Sequence, residues 1–280
     1  MAHRDPLSGR VGFVAEVYQA YREAAEQIAR RAGNVLRELY GRVEAREKGP
    51  SDLVTEADLA SQRTIAALLA ERFPDHTLLA EEEGVQPDPD CPFRWIVDPL
   101  DGTVNFAHRF PIWTVSIGLE HRGMLIAGVV YAPLTDTMWS ASLGGGTTVD
   151  GKTARVSSAD RLERSLISAA FPTRFGTDAP RQLALIERFS TDTHSVRRSG
   201  STAWNLATLA SGGADVCFGT HVNPWDVAAG VLLVREAGGT VSALDGGPYD
   251  LYSPEILASN GIVHDEAARA ATEATRRDRG

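Results

Sequence analysis

Acidic residues in this 280-residue chain recur where apolar runs stop. The sharpest case is Trp95-Ile96-Val97-Asp98-Pro99-Leu100-Asp101-Gly102-Thr103. Three apolar residues predict a buried strand, and two carboxylates emerge at its end. Pro99 holds φ at about −65° and stiffens the bend, while Gly102 permits a tight or positive-φ turn. Asp98 and Asp101 can therefore converge on one point. Two anions held close repel strongly and need a proton or a cation between them. Oxygen-only donors favour Mg²⁺, Mn²⁺ or Ca²⁺ over zinc. Asp-Pro and Asp-Gly are also everyday turn sequences, so this stretch alone leaves both readings open.

Four further segments carry similar chemistry. Ala80-Glu81-Glu82-Glu83-Gly84 follows another apolar run and taken singly reads as a solvated loop. In Asn223-Pro224-Trp225-Asp226, Asn223 fits an N-cap, Pro224 the first helical position and Asp226 the first turn, where an acid also complements the helix dipole. Asp52-Leu53-Val54-Thr55-Glu56-Ala57-Asp58 places Asp58 to cap a helix or support a neighbour. Gly200-Ser201-Thr202 precedes a helix whose first amides can hold an anion, and the same residues are ordinary caps. No segment decides the matter singly; five acidic or anion-binding ends in one chain weigh together.

The elements that must position these residues follow from periodicity. Apolar positions from Val14 to Val43 recur at three- and four-residue steps and predict a long amphipathic helix, ended by the run Lys48 to Ser51. A second helix starts at Thr55 with Asp58 in capping-box register and stops before Pro74. Strands are predicted at Thr77–Ala80, Trp95–Val97, Trp113–His121, Leu125–Ala132 and Met138–Ser142, with an exposed loop at Val85–Pro92. Beyond Gly151 strands alternate with helices: strands at Leu166–Ala170, Asp215–Phe218, Thr240–Ala243 and Leu257–Ser259, helices at Arg181–Phe189, Ala203–Ala210 and Pro224–Ala237, and a closing polar helix. This order predicts an antiparallel-rich α+β domain over residues 1–150, holding most metal ligands. An α/β domain over residues 151–280 would supply Asp226 and the substrate cleft.

Composition narrows the function. The chain holds 28 Lys+Arg against 37 Asp+Glu, a formal charge of −9, which disfavours broad nucleic-acid binding. Cys91 and Cys217 lie far apart in no zinc-binding spacing and suit a reducing compartment. The first ten residues lack the apolar stretch of a signal peptide, and no run reaches the ~20 apolar residues of a membrane span. These features predict a soluble cytoplasmic protein with no membrane partner.

In order and spacing the five segments resemble the inositol monophosphatase family, over nearly the whole chain from Lys48 to Gly261. Trp95 to Phe106 looks like the family's first signature; Trp225-Asp226-Val227-Ala228-Ala229-Gly230 with Glu236-Ala237-Gly238-Gly239 looks like its second. The resemblance implies a layered αβαβα sandwich, α+β and α/β in its halves, of the inositol monophosphatase and sugar phosphatase type. It also implies Mg²⁺ as cofactor, inhibition by Li⁺, a homodimer and a small phosphorylated metabolite as substrate. Position by position, it implies that Glu81, Asp98, Asp101 and the carbonyl of Leu100 are metal ligands, with Asp226 on a second metal. Glu81 and Thr103 would orient and deprotonate the attacking water, Asp58 would support Thr103, and Glu82 would act further out. Leu100, Asp101, Gly102, Thr103, Gly200, Ser201, Thr202 and Asp226 would line the substrate. The expected reaction is hydrolysis of an inositol-1-phosphate-like or sugar phosphate ester by metal-activated water attacking in line. Multivalent cations would offset the charge of a phosphate among four carboxylates.

Departures from the family pattern bear on substrate. Ala80 and Val104 are tolerable replacements. Gly219 falls where inositol-selective members carry a glutamate that holds sugar hydroxyls, which widens the field to fructose 1,6-bisphosphate, histidinol phosphate or a nucleotide 3′-phosphate. Trp204 is bulkier than the usual residue, and Lys48 is a candidate phosphate contact. His108 and Arg109 read as a surface turn, His221 as a lone histidine, and Trp113, Trp139 and Trp225 as packing. A regulatory protein-binding module on the same fold is the competing reading, against which the complete ligand set counts. A calcium-binding structural domain is the third, and it lacks the EF-hand spacing.

Overall fold

The computed structural model describes residues 8–43, 45–49, 52–82, 88 and 90–276. Helix α1 (Ser8–Leu39) buries Ala25, Ile28, Ala29, Ala32 and Leu36, one stripe at three- and four-residue spacing. It stops earlier than the sequence predicts. Gly41 takes φ +73° just past its end, and Ala45–Gly49 forms strand β1, paired antiparallel with β2 (Asp52–Thr55). A left-handed glycine satisfies the last helical carbonyls and turns the chain away; periodicity alone does not register that stop. The predicted loop at Val85–Pro92 lies mostly outside the described residues.

Helix α2 (Glu56–Arg72) begins at Thr55 with the expected capping box. Then come β3 (Thr77–Ala80), β4 (Phe93–Asp101), the short helix α3 (Thr103–Ala107), β5 (Thr114–His121), β6 (Met124–Ala132), β7 (Thr137–Ser142), β8 (Gly146–Val149) and β9 (Lys152–Thr153). Strands β3 to β9 form one sheet in sequence order, antiparallel except for the β3–β4 pair. The second half contributes β10 (Leu166–Ala170), α4 (Ala179–Asp192), β11 (Ser195–Arg197), α5 (Thr202–Ala210), β12 (Val216–Thr220), α6 (Pro224–Glu236), β13 (Thr240–Ser242), β14 (Glu255–Ser259) and α7 (His264–Arg276). Its mixed sheet runs β11-β10-β12-β14-β13. Short strands β8, β9 and β11 and helix α3 escape the periodicity reading, being too brief to repeat a pattern.

Helices α1 and α2 cover one face of the seven-stranded sheet, and α6 with α5 covers the other. The five-stranded sheet packs against α5 and carries α4 and α7 outside it, which completes the five layers the resemblance implies. The middle core joins Val130, Trp139 and Ala141 of the first sheet to Leu206, Leu209, Val231 and Leu232 of the helices and Ile256 of the second sheet. Among the described residues no helix is long and apolar enough to cross a membrane.

Two glycines set how closely α6 approaches. Gly118 and Gly128 are direct partners across β5 and β6. A Cβ on Gly118 would lie 2.9 Å from Ala228 Cβ, and one on Gly128 would lie 2.9 Å from the carbonyl oxygen of Ala229. The Ala228–Ala229 face of α6 therefore rests on bare backbone, bringing the helix start, and Asp226 with it, down to the end of β4.

Candidate active site

A bulge in β4 puts its two aspartates on one side. In a regular strand residues three apart face opposite sides. Asp98 pairs with Ser116 and Asp101 with Thr114, so one extra residue enters β4 between them and rephases the pleat. Pro99 has no amide to give the ladder and sits where a bulge needs none. Asp98 Oδ1 accepts the amide of Leu100 at 2.9 Å, which folds the bulge back on itself.

Helix α2 pins this turn from below with three polar residues on one buried face. Asp58 accepts the Thr55 amide at 2.7 Å and the Thr103 hydroxyl at 2.9 Å. Ser61 Oγ donates to the carbonyl of Pro99 at 2.7 Å. Gln62 accepts the Glu82 amide at 2.9 Å and donates to the Glu82 carbonyl. Positions 58, 61 and 62 share a helix face, and all three are buried. Sequence reading singled out Asp58 and missed Ser61 and Gln62. The available signal was a run of polar residues interrupting an otherwise apolar stripe.

Asp101 takes an unforeseen partner. Its carboxylate accepts the Ser201 hydroxyl at 2.5 Å and the amides of Ala203 at 2.7 Å and Thr202 at 3.2 Å. The start of α5 was predicted to hold an anion; the anion it holds here is the protein's own Asp101. Asn105 braces the same junction, donating to the carbonyls of Ile112 at 2.7 Å and Ser199 at 2.8 Å. Gly200, at φ +85°, leaves room for that amide: a Cβ would fall 2.9 Å from it. Asn105 lay inside the first signature without an assigned role.

Asp226 closes the set from the opposite side. Its Oδ2 accepts the Asn223 amide at 2.7 Å, so the expected N-cap Asn223 and first-turn Asp226 close a capping box on α6. Ser116 Oγ of β5 donates to the carbonyl of Trp225 at 3.3 Å and ties that helix start to the first sheet.

Electrostatics show how strained this gathering of anions is. Burial pushes the Asp98 carboxyl well above the ordinary range, and the charges of Glu81, Asp101 and Asp226 push it further. Burial and then Asp101 raise Asp226 to about 7. Burial raises Asp101 too, against the pull of its bonds to Ser201, Ala203 and Thr202. Asp58 is raised by burial and held back by Thr55 and Thr103. Among the described residues no three His, Cys, Asp or Glu side chains close into a ready-made ion site. Asp98 is held by its own bulge and Asp101 by α5, and the charge of Asp101 reaches Asp98.

The cleft has a volume of about 930 Å³. Glu81, Asp101, Gly102, Thr103, Gly200, Ser201, Thr202 and Asp226 line it, whereas Asp98 and Leu100 lie buried behind the wall. Trp225, read as packing, is part of the lining. Trp113 and Trp139 are core, and Trp204 turns inward to meet Trp139 edge-on at 5.5 Å. His108 and Arg109 are exposed outside the cleft, as expected of a surface turn. His221 lines the cleft beside Gln182 at 3.3 Å. Glu236 of the second signature has a structural task, accepting the amides of Gly144 and Gly146 at 2.9 Å each. The side chain of Lys48, the side chains of Asp52 to Val54, and Glu83 with Gly84 lie outside the described residues.

Comparison with known proteins agrees with this geometry. The model of the Inositol monophosphatase family matches residues 17–276. The inositol-1-monophosphatase of Synechocystis sp. is 40% identical over 254 residues, covering 90% of this chain and 88% of that protein. The Nus factor SuhB of Salmonella typhimurium is 38% identical over 242 residues, 85% and 91% of the two chains. Among solved structures, SuhB from Bartonella henselae superposes with a TM-score of 0.86 at 34% identity, covering 91% of this chain and 99% of that one. The inositol monophosphatase from Anabaena gives 0.81 at 36%, covering 91% and 96%. With its five layers, its cleft of carboxylates and a family match along almost its whole length, this chain belongs to the inositol monophosphatase family and is a phosphoric monoester hydrolase.

Proposed function

We propose that the enzyme hydrolyses a small phosphate monoester, of the inositol-1-phosphate or sugar-phosphate kind, with Mg²⁺ as cofactor. The observation that carries this reading is the gathering of Glu81, Asp98, Asp101 and Asp226, from three separate segments, closely enough that the charges of the other three add to burial in raising the Asp98 carboxyl. The donor set suits a hard cation. It is all oxygen, and Asp98 Oδ2 and Asp226 Oδ1 have no protein hydrogen-bond partner among the described residues. Glu81, Asp98, the Leu100 carbonyl and Asp101 would hold one ion, and Asp226 a second. A divalent ion held by these residues would supply charge neutralisation for the phosphate and a lowered pKa for water.

The chain's own groups do the rest. Thr103 Oγ1, 2.9 Å from Asp58 and 3.1 Å from the Leu100 carbonyl, directs its single proton inward. Its lone pairs then face the cleft, where they accept a hydrogen bond from the attacking water. Glu81 receives the second proton of that water. Gly102, at φ +100°, is the only residue type that makes this turn without strain, and a Cβ there would lie 3.0 Å from the Ile112 carbonyl oxygen. The turn aims the amides that start α3 at the phosphate oxygens. The attacking water and the leaving oxygen lie in line on either side of phosphorus.

This reading includes a homodimer in the cytoplasm with no nucleic-acid or membrane partner, supported by family membership and a net charge of −9. A regulatory protein-binding role draws support from relatives named Nus factor SuhB. It accounts less well for a complete set of acidic groups in a cleft.

The test is phosphate release from a panel of monoesters with Mg²⁺, with EDTA and with Li⁺. Activity should require Mg²⁺ and fall with Li⁺. Asp98→Asn and Asp226→Asn should each lower kcat by at least about 100-fold, the scale of losing one preorganised electrostatic group, with circular dichroism unchanged. Near-normal turnover in either variant would discard the assignment.

A further inference from the structure

Three consecutive glutamates follow strand β3, and nothing in their own chemistry decides which one faces the cleft. Neighbours in an extended chain point to opposite sides, so a slip of one residue exchanges them. The fold makes the choice. Glu81 lines the cleft and its charge reaches Asp98, whereas Glu82 is buried, with 5% of its surface exposed. The sheet alone does not enforce this. Strand β3 pairs in parallel with β4 as far as Ala80 opposite Val97, and the Glu81 amide donates a last bond to the Val97 carbonyl at 3.3 Å. Beyond that point β4 bulges between Asp98 and Asp101. Among the described residues no backbone group bonds the amide or the carbonyl of Glu82.

Helix α2 fills the missing place. Gln62 Oε1 accepts the Glu82 amide at 2.9 Å, and Gln62 Nε2 donates to the Glu82 carbonyl. Both bonds run from one planar amide to the N–H and C=O of one residue. A neighbouring strand holds a residue in an antiparallel ladder by the same exchange. Buried backbone groups are disfavoured without partners, so the clamp resists rotation or slip at Glu82 and at the preceding peptide, which aims Glu81. Gln62 is only 6% exposed and does not line the cleft. Of the unbranched side chains of this length, glutamine carries donor and acceptor together. An ionised glutamate offers acceptors alone, and methionine at most a weak one.

We infer that Gln62 is a positioning residue for the hydrolysis: it stands in for the strand that β4 withdraws and fixes the phase of the chain at Glu82, so that Glu81 rather than Glu82 faces the cleft. The inference rests on the reading of Glu81 as ion ligand and proton acceptor. Gln62 acts through the backbone and makes no contact of its own in the cleft.

Gln62→Met keeps the length of the side chain and removes the clamp. In the metal-free protein the Glu82 amide should exchange its hydrogen faster in this variant by about tenfold or more, as loss of a local bond allows. Turnover, and Mg²⁺ binding read by titration calorimetry, should each weaken by about tenfold or more, the scale for groups that support a metal ligand. Ile65→Val, at a fully buried position of the same helix, should lower Tm while leaving exchange at Glu82, Mg²⁺ binding and turnover unchanged. Because the effect passes through Glu81, adding Gln62→Met to Glu81→Gln should weaken Mg²⁺ binding no further. Gln62→Ala, which leaves room for water at the Glu82 backbone, serves in place of a methionine variant that does not fold, and the same changes are expected. Protected exchange at Glu82 in the variants, unaltered Mg²⁺ binding, or losses that multiply in the double variant overturn the inference. Normal turnover and Mg²⁺ binding in Glu81→Gln would instead discard the role given to Glu81, and exchange at the Glu82 amide would still decide whether Gln62 sets the phase.

Discussion

At the scale of single residues, the site is built from side chains that each do two tasks. Asp58 ends a helix and orients a hydroxyl; Asp226 caps a helix and faces the cleft; Asp101 satisfies the start of α5 and contributes charge. Asp58, Asp98, Asp101 and Asp226 are each secured by a backbone donor, which offsets part of their mutual repulsion. The same logic operates away from the cleft at His264, the first residue of α7. Its ring nitrogens sit 2.9 Å from Ser259 Oγ and 2.9 Å from Ser242 Oγ, and only 6% of the residue is exposed. Burial lowers its pKa below the ordinary 6.5, the acid at Asp265 opposing weakly. The unfolded chain therefore binds the proton more readily than the folded one. His264 contributes full stability above pH 6.5, and that contribution is lost as pH falls from there toward its lower folded value. Melting followed between pH 8 and pH 5 should show the unaltered protein losing Tm relative to His264→Gln, since protonation of Asp98 and Asp226 acts on both proteins alike. An identical fall in both proteins would assign the acid sensitivity elsewhere.

At the scale of elements, the starts and ends of helices decide where chemistry sits. The capping boxes at Thr55 and Asn223 are short-range features, and the sequence displays them openly. The stop of α1 at Leu39 and the strand at Ala45–Gly49 were hidden, because the apolar rhythm continues to Val43 while Gly41 has already broken the helix. Positioning of α6 depends on a contact that no local pattern reveals, the paired glycines under Ala228 and Ala229. Filling that floor should lift the helix and Asp226 together. Gly128→Val is expected to destabilise the fold by about 1–3 kcal/mol, the usual range for overpacking a tight interior, and to lower kcat/KM more than stability alone explains. Urea denaturation alongside Mg²⁺ titration separates the two: the variant that remains folded should need more Mg²⁺ for half-maximal rate. An unchanged Mg²⁺ requirement would show that α6 keeps Asp226 in register by other contacts.

At the scale of the whole molecule, two sheets and the helix layer between them bring distant segments to one cleft. Asp101 of the first sheet bonds to α5, and Ser116 bonds to α6, so the cleft exists only when the layers are stacked. A metal-free fold of this kind carries a repulsive cost at its centre, and cations that bind only the folded state relieve it. Saturating Mg²⁺, at about 100 times its dissociation constant, should add about 2.7 kcal/mol and raise Tm by about 5 °C or more. Asp98→Asn keeps the acceptor for the Leu100 amide but removes a charge. It should therefore melt higher than the unaltered protein without metal and gain little from Mg²⁺. Scanning calorimetry in EDTA and in Mg²⁺ reads both effects, and an equal gain in both proteins would exclude Asp98 from the ion's surroundings.

The sequence by itself determined the periodic and the contiguous: helices long enough to repeat, strands bounded by turns, capping boxes three residues wide, and acidic signatures whose members stand within a few positions of one another. Tertiary structure alone decided that a bulge would rephase Asp98 and Asp101, that Asp101 would occupy the amides of α5, and that Ser61 and Gln62 would hold the Pro99 turn and the backbone of Glu82. These depend on contacts between residues far apart along the chain. Such contacts form when burying one face against another outweighs the entropy of closing the intervening loop, and neither quantity is written in local spacing.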